Sequence, residues 1–171
     1  IGITRRIACP QMGVIHEVTQ TIADGADNRL FNFHIAHDPT LLLKNPLVYK
    51  AGRLIPKYEN KFAVPENPVI GSFGFAGKKG QRRLVELVQD EFDEAVIRIN
   101  IPFATFGDAR GEMALAIAGE CRSALTKPGI KLEITHDFLE QRDLLDFIAQ
   151  NTINLFLYEP MDDDHRGISG V

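Results

Sequence analysis

From Val69 onward, short apolar runs alternate with stretches whose apolar residues recur every three or four positions. Val69-Ile70-Gly71-Ser72-Phe73 reads as a strand. Residues 81–92 follow with Leu84, Val85, Leu87, Val88 and Phe92 on one helical face. A second strand is predicted over 95–101. An alanine-rich helix over 112–125 stops ahead of Lys127-Pro128-Gly129. A third strand is predicted over 130–134. Thr135 or Asp137 is placed to cap a helix through Leu144, Leu145, Phe147 and Ile148. A fourth strand is predicted over 153–158. Strands alternating with helices mean βαβ units, so the expected fold class is α/β: a doubly wound parallel sheet with helices on both faces.

Upstream of residue 56 the pattern is weaker. Residues 12–18 and 30–37 read as short strands, and Ala23-Asp24-Gly25-Ala26-Asp27-Asn28 between them reads as turn. No helix is clear there, and a small, mainly β segment is expected. The stretch PKYENKFAVPENP over 56–68 punctuates regular structure and serves as a linker. The expected organisation is residues 1–60 as the tail of a partner domain with its linker, then 61–171 as an incomplete α/β domain. The chain opens on Ile1 and closes on Gly167-Ile168-Ser169-Gly170-Val171, in what reads as a loop entering a helix. A fragment of a larger protein is therefore the expectation.

Charge and composition narrow the partners. The 19 basic and 23 acidic residues leave a net charge of −4, whereas nucleic-acid binders usually carry a basic surplus. No apolar run reaches the roughly 20 residues a membrane helix needs, and no signal peptide is visible. Cys9 and Cys121 are far apart and form no C-x-x-C pair. A reducing, cytoplasmic setting is expected, without a disulfide framework or zinc knuckle.

Parallel sheets bind ligands beyond the carboxyl ends of their strands, so the loops there hold the candidate chemistry. The first reads Gly71-Ser72-Phe73-Gly74-Phe75-Ala76-Gly77-Lys78-Lys79-Gly80. It leads into a helix N-terminus, where free N–H groups favour phosphate, and Lys78 and Lys79 add positive charge. The competing view is a glycine-rich turn with solvated lysines. It is no Walker A loop, since Lys78 is followed by Lys79, and its glycines do not spell G-x-G-x-x-G. Asn100 and Ile101 stand where a dinucleotide site wants an acidic residue, which disfavours a nicotinamide cofactor. The last loop carries Asp162, Asp163 and Asp164, then Gly167, Ser169 and Gly170. Its carboxylates suit ribose or sugar hydroxyls, a solvated loop, or, least of all, a divalent metal. His34 and His37 are three apart, so a strand cannot aim both to one face, and ordinary hydrogen-bonded histidines are favoured over zinc ligands. His37-Asp38, after an apolar strand, remains a candidate substrate contact.

Val69-Ile70-Gly71-Ser72-Phe73-Gly74, followed by Lys79-Gly80 and an amphipathic helix, resembles the opening of the carboxy-terminal domain of GT-B glycosyltransferases. The likeness covers about 68–171, and 162–170 looks like the acidic loop and glycine-rich helix start that meet the diphosphate and the sugar. The arginine that many retaining members carry five residues before the lysine is absent, since that position is Gly74. The resemblance implies a Rossmann-like half of a GT-B fold, and a transferase moving sugar from a nucleotide-sugar donor to a saccharide, lipid or small-molecule acceptor. It implies no metal and no cofactor. Lys79 would stabilise the leaving diphosphate, with Lys78 the lesser candidate. Asp163, with Asp162 and Asp164, would contact sugar or ribose, and Gly71, Ser72, Gly74, Gly80, Gly167, Ser169 and Gly170 would line the donor. The alternative is a non-catalytic α/β module that binds a phosphorylated ligand or a protein.

Overall fold

The computed structural model describes residues 8–15, 20–29, 31–37, 41–52, 56–77, 80–103 and 107–157. They belong to two compact units that meet in sequence between Lys57 and Tyr58.

The larger unit contains strands β4 (Val69–Phe73), β5 (Ala95–Asn100), β6 (Ile130–Thr135) and β7 (Ile153–Asn154) and helices α2 (Gln81–Glu91), α3 (Glu112–Ala124) and α4 (Gln141–Ala149). All four strands are parallel, in the order β6-β5-β4-β7. The chain thus walks outward through β4, β5 and β6 and then returns past β4 to add β7. That reversal is the topological switch point of a Rossmann-like α/β fold.

Strand alternation divides the side chains between two faces. Ile70, Ile97 and Ile99 join Leu84, Val85 and Val88 of α2 and Ala114 and Cys121 of α3 in one buried core. Burying side chains of this size contributes about 1.5–3 kcal/mol each, which is what fixes the register of so apolar a sheet. Gly71 and Arg98 lie on the opposite face, which α4 and its C-terminal turn cover. A Cβ on Gly71 would collide with the Asn151 amide, and the Arg98 guanidinium sits 4.9 Å from the centre of the Phe147 ring.

Two boundaries differ from expectation for reasons in the hydrogen bonding. Helix α4 starts after Glu140, not after Thr135 or Asp137. The Asn100 side-chain amide donates to Thr135 Oγ1 (2.9 Å) and to the Asp137 carbonyl (3.1 Å), which commits both residues to the β5–β6 edge. Strand β7 pairs with β4 only at Ile153 and Asn154, with two further bonds, from Thr152 N–H to the Val69 carbonyl and from Leu155 N–H to the Gly71 carbonyl (both 2.8 Å).

The smaller unit holds strands β1 (Met12–Ile15), β2 (Phe33–Ala36) and β3 (Val48–Lys50), parallel and in that order, with helix α1 (Gln20–Gly25) between the first two. The helix occupies part of the stretch expected to be turn. Ala23 buries against Ile15, Ala36, Leu41 and Val48, and the Asn45 amide donates to the carbonyls of Ala23 (3.1 Å) and Ala26 (2.6 Å) at the helix end. Six residues give too few turns for a sequence period to show. The other face of this sheet carries Met12, Val14, Phe33, Ile35 and Tyr49 in register, and Met12, Val14 and Tyr49 are exposed.

Candidate functional site

At the carboxyl edge of the larger sheet, the β4 loop ends on Gly80, the N-cap of α2, at φ 61° and ψ 27°. This left-handed conformation costs an L-residue about 1–2 kcal/mol, and only glycine adopts it freely. A second constraint is steric, because a Cβ there would collide with the Leu157 carbonyl oxygen. The backbone that leaves β7 therefore passes directly against the opening of α2, at the switch point.

The two long helices that open at this edge are finished differently. Helix α3 also starts on a left-handed glycine, Gly111, but Asp108 reaches its first turn. The carboxylate is buried and accepts from the backbone N–H groups of Met113 and Ala114, both at 3.0 Å. That helix end is occupied by an anion of its own. Helix α2 receives no side-chain cap from its N-cap residue.

The other glycine-loop candidates are tied into the fold. Gly71 lies in mid-strand beneath Asn151 and Asn154, so its missing side chain serves packing. Ser72 is 3% exposed. Gly74 takes φ 134°, and its N–H donates to the Asn100 carbonyl at 3.0 Å. That donor is spent on the sheet edge. His37 belongs to the smaller unit, where its Nδ1 lies 2.9 Å from the Ala51 carbonyl and so carries the proton. This bond gives His37 a role in closing the end of β2. Lys78, Lys79, Asp162, Asp163, Asp164, Gly167, Ser169 and Gly170 lie outside the described residues.

A cleft of about 250 Å³ opens elsewhere, between α4 and the β5–β6 side of the sheet, with Arg98, Glu133, Asp137, Asp143 and Phe147 in its wall. Its guanidinium is already engaged. Arg98 lies 3.7 Å from Glu133 and donates to Gln150 Oε1 and Asn151 Oδ1, both at 3.3 Å. The arginine therefore ties α4 to the sheet rather than offering a free cation.

Among the described residues, no three His, Cys, Asp or Glu side chains gather into a metal set. No described helix is long and apolar enough to cross a membrane. Cys121 is buried in the core, and burial pushes its thiol up to about 11, far from a working nucleophile. Sequence reasoning missed the Asp108 cap, whose signal was an acid five residues ahead of a helical N–H across an unremarked glycine turn. Comparison of the chain with protein families, with curated proteins and with solved structures yields no match.

Proposed function

We propose that this chain contains the donor-binding half of a GT-B-like glycosyltransferase, which takes a nucleotide-sugar at the β4–β7 switch point and transfers its sugar to an acceptor. The observation that carries this reading is the contact between Gly80 and Leu157. In sequence, Lys79 directly precedes Gly80 and Asp162 follows five residues after Leu157, so both candidate loops adjoin the two residues of this contact. The α2 N-terminus, whose N-cap Gly80 brings no side chain, and Lys79 would stabilise charge that develops on the leaving diphosphate, so the chemistry requires no metal. Asp163 would hold sugar or ribose hydroxyls. The two free cysteines, Cys9 and Cys121, accord with a cytoplasmic setting.

A second reading, a non-catalytic module that binds a phosphorylated ligand or a protein, draws on Gly71 and Gly74. Both are committed to the fold, which leaves fewer loop groups for a donor. Calorimetry separates the readings. Lys79→Ala should weaken a nucleoside diphosphate by about 1–3 kcal/mol, the usual worth of a charge-assisted hydrogen bond. Asp163→Asn should weaken the nucleotide-sugar and leave inorganic pyrophosphate unchanged. Equal affinities in Lys79→Ala and the parent chain would end the glycosyltransferase proposal.

A further inference from the structure

A buried polar side chain normally has a hydrogen-bond partner, and one without it calls for an explanation. Gln81, the first residue of α2, is 4% exposed, and its side-chain amide bonds to none of the described residues. An amide buried in this way is a net cost to the fold. Its direction follows from the helix. Gln81 shares the buried stripe of Leu84, Val85 and Val88, and helical Cα–Cβ bonds tilt toward the N-terminus. The amide is therefore carried along the interface of α2 with the sheet, toward the opening of the helix. Ser72 reaches the same corner from β4. It follows Ile70 by two residues and so faces α2, it is 3% exposed, and its hydroxyl also lacks a partner among the described residues. The unpartnered side-chain atom sealed from solvent among the described residues is His136 Nε2, so the polar atoms of Gln81 and Ser72 still reach the surface.

The backbone at this opening is in the same condition. The first bond of the helical ladder runs from Leu84 N–H to the Gly80 carbonyl at 2.8 Å. The N–H groups of Gln81, Arg82 and Arg83 come ahead of it and have no acceptor among the described residues. Charge agrees in sign. The first turns of α3 and α4 carry Glu112 and Asp143, whereas that of α2 carries no acid. Arg82 and Arg83 stand there instead and share one carboxylate, Glu86, at 3.1 and 3.3 Å. Unspent N–H donors, a buried amide and surplus positive charge at one helix opening match an oxyanion. The donors arrive from two directions, along the helix axis and from the sheet-facing side. A planar carboxylate meets one of them, while a phosphate group presents three acceptor oxygens in a tetrahedral spread and meets both.

We infer that Gln81 is a ligand-binding residue whose side-chain amide donates to a phosphate oxygen held at the α2 opening. This rests on the part of the proposed function that brings phosphate to α2, and it requires neither Lys79 nor the transfer of a sugar. Calorimetry of the whole chain with inorganic pyrophosphate tests it on Gln81→Met, which keeps the unbranched outline and removes the amide. The variant should lose roughly ten- to a hundredfold in affinity, the range of a hydrogen bond to a charged group. In urea without ligand it should be at least as stable as the parent, because an unpartnered buried amide has been replaced by an apolar chain. A residue that serves only packing or internal bonding would show the reverse, a loss of stability. Gln81→Glu, with the same outline and a negative charge, should bind pyrophosphate more weakly still, and it decides the matter if Gln81→Met does not fold. The inference is overturned if the parent chain does not bind pyrophosphate, if either variant binds as the parent does, or if a folded Gln81→Met is less stable than the parent. A parent chain that binds a nucleotide-sugar but not pyrophosphate would remove the role of Gln81 and leave the transferase reading standing. A loss in Gln81→Met with none in Lys79→Ala would keep Gln81 and end the transferase reading.

Discussion

Glycine in this chain carries two opposite meanings, and single substitutions distinguish them. At Gly80 both the left-handed backbone and the Leu157 carbonyl exclude a side chain. Gly80→Ala should cost at least about 1–2 kcal/mol from backbone conformation alone, before the collision is counted. At Gly119, inside α3, a Cβ would meet nothing within 4 Å. Gly119→Ala should stabilise by about 0.4–1 kcal/mol, because it removes freedom from the unfolded chain and favours the helix. Urea denaturation of the two variants checks both signs. A stabilised Gly80→Ala would mean that the α2 opening is not strained. The sequence marks both positions only as Gly, and neither sign follows without the φ angle and the neighbour. The same holds for His136, whose orphaned Nε2 depends on a bond to a carbonyl 35 residues away.

At the scale of elements, what was legible tracks length and periodicity. The helices of 11 and 13 residues show their buried faces in the apolar spacing, and the β5 run of apolar residues announces a strand covered on both sides. Strands of three or four residues and a helix of six leave no such period, so the parallel pairing of β1, β2 and β3 was not legible. Candidate residues in the β4 loop rest on glycine and lysine content, and Lys78 and Lys79 lie outside the described residues. That Phe75, Phe103 and Phe138 share one edge was not legible, since they come from three loops that only the sheet order brings together. One element contact has a pH signature. Tyr58 donates its hydroxyl hydrogen to Asp146 of α4 at 2.7 Å. That bond, with the Asp146 charge and some burial, raises the tyrosine above its ordinary 10.0. A raised folded value stabilises fully below the unfolded one and is lost as pH climbs through the folded one. Between about pH 9 and about pH 12, the parent chain should therefore lose urea stability relative to Tyr58→Phe. Parallel curves for the two would show that the bond contributes nothing.

For the whole molecule, the stretch between the sheets is the weak point. Residues 59–67 form neither helix nor strand, Val64 is 82% exposed, and Phe62 is exposed as well. Proteases need an extended, accessible backbone, and this stretch offers one at the start of the larger unit, ahead of its first strand. Brief chymotrypsin treatment should cut first at Phe62 and release a protected piece that begins near Ala63, as read by intact mass. First cuts inside α2 or β5 would contradict this order of stability.

The smaller sheet has a consequence of another kind. Its outer face presents Met12, Val14 and Tyr49 in register beside Phe33 and Ile35, and no charged residue interrupts those five positions. Parallel sheets are normally covered on both faces. A formal net charge of only −4 supplies little mutual repulsion to keep such faces apart in concentrated solution. Self-association of the chain should therefore depend on these five side chains, which are remote in sequence from the Gly71–Gly80 loop. Polar replacement at Val14 and Tyr49, which point outward and leave the buried face intact, is the route to a tractable sample, and it alters none of the groups assigned to ligand binding.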